Sequence, residues 1–295
     1  MKPPLHVFRH NAMATHFEVR VAGGDATYAR QAAQASFAAA DRIEGLLSRY
    51  DETSEISCLN RLPPGEAMRV SEDTFACLRQ ALEMHVLTGG AFDATLGRAM
   101  DRLRGKAPDA APDEPRGRLV LDPATQAVLV EGGAVALDLG AIGKGFALDR
   151  MADVLREWEV PRALLVSGGS SILALDAPAA GQGWAVTVGD ATPPQRLCLI
   201  NRAIGSSGTT VQGQHILDPL TGRPAQNFFR TWALAANAAE ADALSTAWMS
   251  LTAEEIAEVC RLRPGVGAVL QTAPEPVVPL IFLGAAAQFL SSAPR

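Results

Sequence analysis

RALLVSGGSSILALDAPAAGQGWAVTVGDATPPQRLCLI, residues 162–200, holds four short strand-like runs in succession, at 162–167, 171–175, 184–188 and 196–200. They are rich in aliphatic and β-branched residues, and Gly, Pro, Ser or Asp bounds the first three, the pattern of strands punctuated by turns. No helical spacing separates them, so the alternation that builds a doubly wound sheet is broken here. A further run stands at 228–235, and 266–283 reads as strands again. Near the start, alternating Phe17, Val19 and Val21 give an edge or half-buried strand. RLVLDPATQAVLV (118–130), two apolar runs around Asp-Pro, reads as a hairpin.

Helices are read where apolar residues recur every three or four positions. Residues 26–48 place Ala33, Phe37, Ala40 and Leu47 on one stripe. A second helix runs from Ser71 to about Leu87 on Phe75, Leu78, Leu82 and Val86, and stops at Gly89-Gly90. Asp138 to Gly145 is a glycine-punctuated turn between a strand and a helix carrying Ala147, Met151, Val154, Leu155 and Trp158. Residues 239–251 are helical, and Thr252-x-x-Glu255 is a capping box that opens another helix. Helices and strands are thus mixed, without a βαβ rhythm or internal repeats, which predicts an α+β fold with mixed or antiparallel sheets. Residues 1–295 are read as one domain, with the polar, proline-bearing stretch 104–117 as a surface loop or lobe boundary.

The chain has 295 residues, 48 % of them hydrophobic, enough for a substantial core. A net charge of -6 and a pI near 5.4 exclude a general attraction to phosphate backbones, so nucleic acid is not an expected partner. Cys58, Cys77, Cys198 and Cys260 are scattered and form no CxxC pair, which argues for free thiols rather than a zinc site or a disulfide framework. MKPPLHVFRH at the N-terminus lacks a following apolar run, and nowhere is there the stretch of roughly 20 apolar residues that a membrane helix needs. The expectation is a cytoplasmic protein without a transmembrane segment, or an exported one if a leader has been removed.

Three stretches could carry chemistry. In DLGAIGKG (138–145) the glycines allow a tight turn and close backbone approach, and Lys144 sits where a helix begins, which suits a phosphate. Gly145 stands where a Walker A loop has Ser or Thr, so that motif is excluded. Such a turn, taken alone, is as often structural. In ADALST (241–246) Asp242 and Thr246 are four apart on one helix face with Ser245 beside them. Oxygen-only donors favour a hard cation such as Mg²⁺; the plain alternative is an Asp that complements its helix dipole. In HILDPLTG (215–222) Asp218-Pro219 and Thr221-Gly222 make a turn next to His215, which could be packing or a proton acceptor. Asp93 in AFDATLG (91–97) could cap a helix or bond a heterocycle, and Tyr50 could stack on a ring or fill a gap.

The order of these stretches adds what no one of them carries. M-A-T-x-F-E-V (13–19), S-x-Y-x-x-x-S-E-I-S-x-L-N (48–60), T-G-G-A-F-D-A-T (88–95), D-L-G-A-I-G-K-G (138–145), S-G-G (167–169), S-S-G…H-I-L-D-P-L-T-G (206–222) and A-D-A-L-S-T-A (241–247) follow one another along nearly the whole chain. This closely resembles the ApbE family, the FAD:protein FMN transferases. The resemblance implies a two-lobed α+β fold around a flavin cleft. It implies that Met13, Tyr50, the stretch Ala91, Phe92 and Asp93, then Asp138, Lys144 and Ile216 hold FAD. The backbone carbonyl of Ala141 with Asp242, Thr246 and Ser245 would hold Mg²⁺, and His215 would take the proton of the incoming threonine of an acceptor flavoprotein. FMN would remain on that threonine and AMP would leave. The alternatives are a Mg²⁺-dependent FAD pyrophosphatase and a non-catalytic FAD-binding assembly factor. The chain departs from the family pattern where Met-Gly-Thr is Met-Ala-Thr (13–15), Thr-Ser-Gly is Ser206-Ser207-Gly208, and Gly-Gly-Asn is Gly168-Gly169-Ser170.

Overall fold

The structure is a computed structural model that describes residues 3–103, 105, 116–179, 183–189, 195–208, 216–274 and 279–290. The chain opens with strands β1 (Leu5–Ala12) and β2 (Thr15–Ala22), then helices α1 (Ala26–Leu47) and α2 (Glu55–Arg61). Strand β3 (Ala67–Arg69), helices α3 (Glu72–Leu87) and α4 (Gly97–Leu103), and the hairpin β4 (Arg118–Asp122) and β5 (Ala127–Glu131) follow. Helix α5 (Gly143–Glu157) leads into β6 (Ala163–Ser167), β7 (Ser171–Ala174), β8 (Trp184–Val188), β9 (Gln195–Leu199), β10 (Arg202–Gly208) and β11 (Arg230–Ala235). Helices α6 (Ala238–Trp248) and α7 (Ala253–Leu262), then β12 (Gly267–Gln271), β13 (Ile281–Gly284) and a short 3-10 helix (Ala285–Phe289), complete the described chain.

Eight strands form one sheet in the order β1-β2-β6-β7-β10-β11-β12-β13, and every pairing is antiparallel. The expected α+β class holds, with the sheets antiparallel throughout the described residues. One face buries Phe17, Val19, Leu165, Leu173 and Ala233 under the helices. The other is covered by the β8–β9 hairpin, whose Trp184, Val186 and Leu197 meet Ile204, Trp232 and Val269. The helix layer packs closely because its contact residues are small: α1 turns Ala29, Ala32, Ala33 and Ala40 inward. Helix α6 is the centre of this layer. Every residue in it except Thr246 is buried, and Trp248 is wholly so.

Several elements depart from the sequence expectation, each for a local reason. Phe17, Val19 and Val21 do not lie on an edge: β2 is flanked by β1 and β6, and all three are buried. Val86 is 78 % exposed, because the buried stripe of α3 runs through Leu78, Ala81 and Met84 and Val86 lies on the outward face of the last turn. The segment before Asp138 is in no ladder. Asn60 takes the place of a strand partner there, accepting from Leu137 N (2.6 Å) and donating to Leu137 O (3.1 Å). Strands β1, β3 and β10 and helices α2 and α4 were not expected. Most of 104–117 lies outside the described residues. The four cysteines are free, as expected. Among the described residues no helix is long and apolar enough to cross a membrane.

Candidate functional site

One rim of the large sheet gathers the motifs. The β1–β2 turn, the β6–β7 turn, the end of β10 and the start of β11 lie side by side there, since Phe17 pairs with Ser167, Ser171 with Gly205, and Gly208 with Arg230. Gly168 carries φ +57 and lies against Thr15, where a Cβ would meet Thr15 Oγ1 at 2.6 Å. Helices α5 and α6 reach this rim because two glycines let main chain meet main chain. A Cβ on Gly145 would stand 2.1 Å from Ala238 O, and one on Gly205 would stand 2.4 Å from Ala241 O.

Lys144 and Asp242 are brought together, with Nζ 3.9 Å from Oδ2. Asp242 is 4 % exposed, so it is a buried carboxylate and not a helix-surface one. It does not serve its own helix dipole. Its Oδ2 accepts from Gly145 N at 2.8 Å, capping the start of α5, which has no side-chain N-cap of its own. As the third residue of α5, Gly145 carries one of the first-turn N–H groups that have no partner within the helix, and the ladder starts one residue later with Phe146 N on Ile142 O (2.9 Å). Burial pushes the Asp242 carboxyl upward, against the pull of Lys144, a hydrogen bond from Ser171, and Gly145 N–H. Lys144 Nζ also donates to Gly140 O at 3.1 Å.

Two hydroxyls sit one turn further along α6, and a third faces them from β10. Ser207 Oγ on β10 is 3.1 Å from both Ser245 Oγ and Thr246 Oγ1. Ser245 Oγ donates to Asp242 O at 2.9 Å, and Thr246 Oγ1 lies 3.4 Å from that oxygen. A carboxylate, hydroxyls and a main-chain carbonyl are hard oxygen donors, the chemistry that Mg²⁺ takes when phosphates complete its shell. The set fits that ion. It contains one carboxylate only, and among the described residues no group of three or more His, Cys, Asp and Glu could hold a metal.

The turn 138–145 links this cluster to a second one. Asp138 N donates to Ala94 O (2.8 Å), and its Oδ2 accepts from Arg49 Nη1 (2.9 Å). Arg49 also donates to Asp101 (2.5 Å) and lies 5.7 Å from the centre of the Tyr50 ring. Tyr50 is 66 % exposed. Asp93 Oδ1 accepts from Thr95 N and Thr95 Oγ1, both at 2.7 Å. Ala91 and Phe92 point into the main core, so a ligand could meet only their main chain. Ile216 is buried and accepts from Ala225 N (2.9 Å), closing the loop 216–225. That loop leans on α3's end, where Leu220 Cδ2 is 3.4 Å from a Cβ built on Gly90. His215 lies outside the described residues.

Met13 is at the turn between β1 and β2, and its Cε is 3.3 Å from a Cβ built on Gly143, at the first turn of α5. Met13 and Ala14 both have positive φ, 52° and 55°. A two-residue hairpin with both central residues left-handed is a type I′ turn, which favours Gly. Ala at position 14 therefore holds roughly 1–2 kcal/mol of backbone strain. A depression of about 570 Å³ lined by residues 11–16 and Glu44 lies at this same turn, without Lys144 or Asp242.

Sequence reasoning missed Arg49, Ser171 and Ser207 as site residues. Arg49 and Ser207 lie inside recognised motifs, next to Tyr50 and Ser206, so position could have flagged them. Ser171 offered no signal beyond following the Gly168-Gly169 turn.

The model of the ApbE family matches residues 13–270. An FAD:protein FMN transferase of Salmonella typhimurium is 27 % identical over 289 residues, covering 88 % of this chain and 82 % of that protein. One from Escherichia coli K12 is 25 % identical over 296 residues, covering 90 % and 84 %. Among solved structures, the crystal structure of the ApbE protein from Thermotoga maritima superposes with a TM-score of 0.82 at 24 % identity, covering 98 % of this chain and all of that one.

Proposed function

The chain belongs to the ApbE family, and from that premise we propose that it is an FAD:protein FMN transferase. It attaches FMN through a phosphoester to a threonine of an acceptor flavoprotein, with Mg²⁺, and releases AMP. The observation that carries this reading is the convergence of Lys144, Asp242 and the hydroxyls of Ser245 and Thr246 at the start of α5. Met13, Tyr50, the main chain of Ala91, Phe92 and Asp93, then Asp138, Lys144 and Ile216 hold FAD. Asp242, Thr246, Ser245 and the Ala141 carbonyl hold the cation, which when bound neutralises charge on the phosphate oxygens.

The threonine oxygen attacks the phosphorus on the riboflavin side, the P–O–P bond breaks, and AMP departs with the bridging oxygen. His215 takes the threonine proton; a positioned imidazole is worth roughly 10²–10⁴-fold. Lys144 places a positive charge where negative charge develops, in a site whose burial strengthens it. Arg49 holds the Asp138 carboxylate in place, and Ser207 holds the hydroxyls of Ser245 and Thr246.

The test is incubation with FAD, Mg²⁺ and a candidate acceptor, followed by intact-mass measurement of the acceptor. A gain of one FMN, lost when the acceptor threonine becomes alanine or when Asp242→Asn replaces the enzyme, supports the reading. Formation of free FMN and AMP with no mass gain would replace it with a pyrophosphatase. Bound FAD without turnover would leave an assembly factor.

A further inference from the structure

We propose that Asp149 is a positioning residue for this site: from α5 it fixes the start of α6, and so holds Asp242 on Gly145 and beside Lys144. The inference rests on the flavin-transfer reading for its consequence, and on geometry for its cause. Asp149 Oδ1 accepts from Ala238 N at 2.8 Å and Oδ2 from Ala239 N at 2.9 Å. Asp242 returns the bond, accepting from Gly145 N at 2.8 Å. Each helix thus supplies the carboxylate that satisfies first-turn N–H groups of the other.

Helix α6 already has a side-chain cap, Asn237, which accepts from Glu240 N at 2.8 Å. That leaves the N–H groups of Ala238 and Ala239, and Asp149 takes both. A carboxylate gripping two consecutive N–H groups sets the position of the helix along its axis and its rotation about it. The contacts at Gly145 and Gly205 only limit how near α6 can come to α5 and β10. They do not fix the direction in which Asp242, one turn further on, points. Asp149 does, while touching neither the cation donors nor Lys144 in any contact described above.

Asp149→Asn tests this, because an amide keeps the shape, offers one acceptor oxygen, and sets an N–H₂ donor against an N–H. The expected result is a rise of about 10–100-fold in half-saturating Mg²⁺, the usual effect of losing a group that orients metal donors, with KM for FAD nearly unchanged. Mn²⁺ binding without FAD, read by electron paramagnetic resonance, should weaken by the same factor. Thr252→Ala is the stability control: it removes the capping box of α7, lowers the melting temperature, and should leave Mn²⁺ binding at the wild-type level. Wild-type Mn²⁺ affinity in Asp149→Asn would overturn the proposal, whatever its melting temperature. Should that variant fail to fold, hydrogen exchange on the wild-type protein decides. The amides of Gly145, Ala238 and Ala239 should open together with one free energy, and Gly145 exchanging while the other two stay protected would overturn it. Absence of Mn²⁺ binding and of transfer in the wild-type protein would instead remove the functional reading, and this inference with it.

Discussion

Replacing Gly145 with alanine isolates a single contact. Its φ is not in the left-handed region, so alanine is not excluded by backbone conformation, and in a helix it would gain about 1 kcal/mol over glycine. The added methyl, however, would lie 2.1 Å from the carbonyl oxygen of Ala238. Neither side is a flexible side chain. Ordinary carbon–oxygen contact requires α5 and α6 to part by about 1 Å, an overpacking that typically costs about 1–3 kcal/mol. The same movement stretches the 2.8 Å bond from Gly145 N to Asp242, and a hydrogen bond to a charged group contributes about 1.5–3 kcal/mol. After the helix gain, the expected loss is about 1.5–5 kcal/mol in urea unfolding. Transfer should fall roughly 100-fold, the usual effect of a 1 Å misplacement among reacting groups. Gly143→Ala, two residues earlier, is the internal comparison. Its methyl meets only Met13 Cε at 3.3 Å, the end of a flexible side chain, and stability should stay within about 1 kcal/mol of wild type. If Gly145→Ala unfolds at the wild-type urea midpoint and transfers FMN at the wild-type rate, the close approach of the two helices is not what holds the site.

Tyr50→Ala should leave the urea midpoint unchanged, since the ring is 66 % exposed, yet weaken FAD binding by about 0.5–1.5 kcal/mol of stacking; an unchanged dissociation constant in a flavin fluorescence titration would remove Tyr50 from the proposed FAD site. His215→Ala should bind FAD normally, lose transfer by orders of magnitude, and lose the acidic limb of the rate–pH profile; a retained limb would send the search for the base to Asp138 and Asp242. Burial pushes the Asp149 carboxyl up to about 7, against Ala238 N–H, Ala239 N–H and Arg150. A folded pKa raised in this way contributes stability that is fully present below the ordinary carboxylate value and lost as pH rises through 7. Wild-type stability should therefore fall relative to Asp149→Asn between pH 5 and pH 7, by up to about 1.4 kcal/mol per pH unit; a difference in urea stability that is flat with pH would refute the assignment.

The α+β class was legible because runs at 162–200 follow one another without a helix, and β6 to β9 lie close to where those runs were read. Strand β10 was missed: its residues, Arg202–Gly208, end in Gly-Ser-Ser-Gly, which reads as a turn. Gly205 is there because α6 presses its main chain against it, a tertiary reason that no propensity encodes. The resemblance gave Lys144 to FAD and Asp242 to the cation, but neither their ion pair nor the burial of Asp242 was legible. Its helical spacing with Thr246 reads the same on a surface helix and on a central one. Asp149 was invisible, since a single Asp in a helix is ordinary until the helix start it caps is known.

The two carboxylate links that tie α5 to α6 join residues 89 and 97 apart in the chain. This has a bearing on when the protein becomes competent during its synthesis. A growing chain that has reached β7 already contains the glycine turn and Lys144, and such local segments can form early. It lacks the carboxylate and hydroxyls opposite them, because α6 is made only after β10 and β11, the two strands it rests on. A chain that ends before residue 238 lacks Asp242, Ser245 and Thr246, so the proposed cation donors cannot assemble in it.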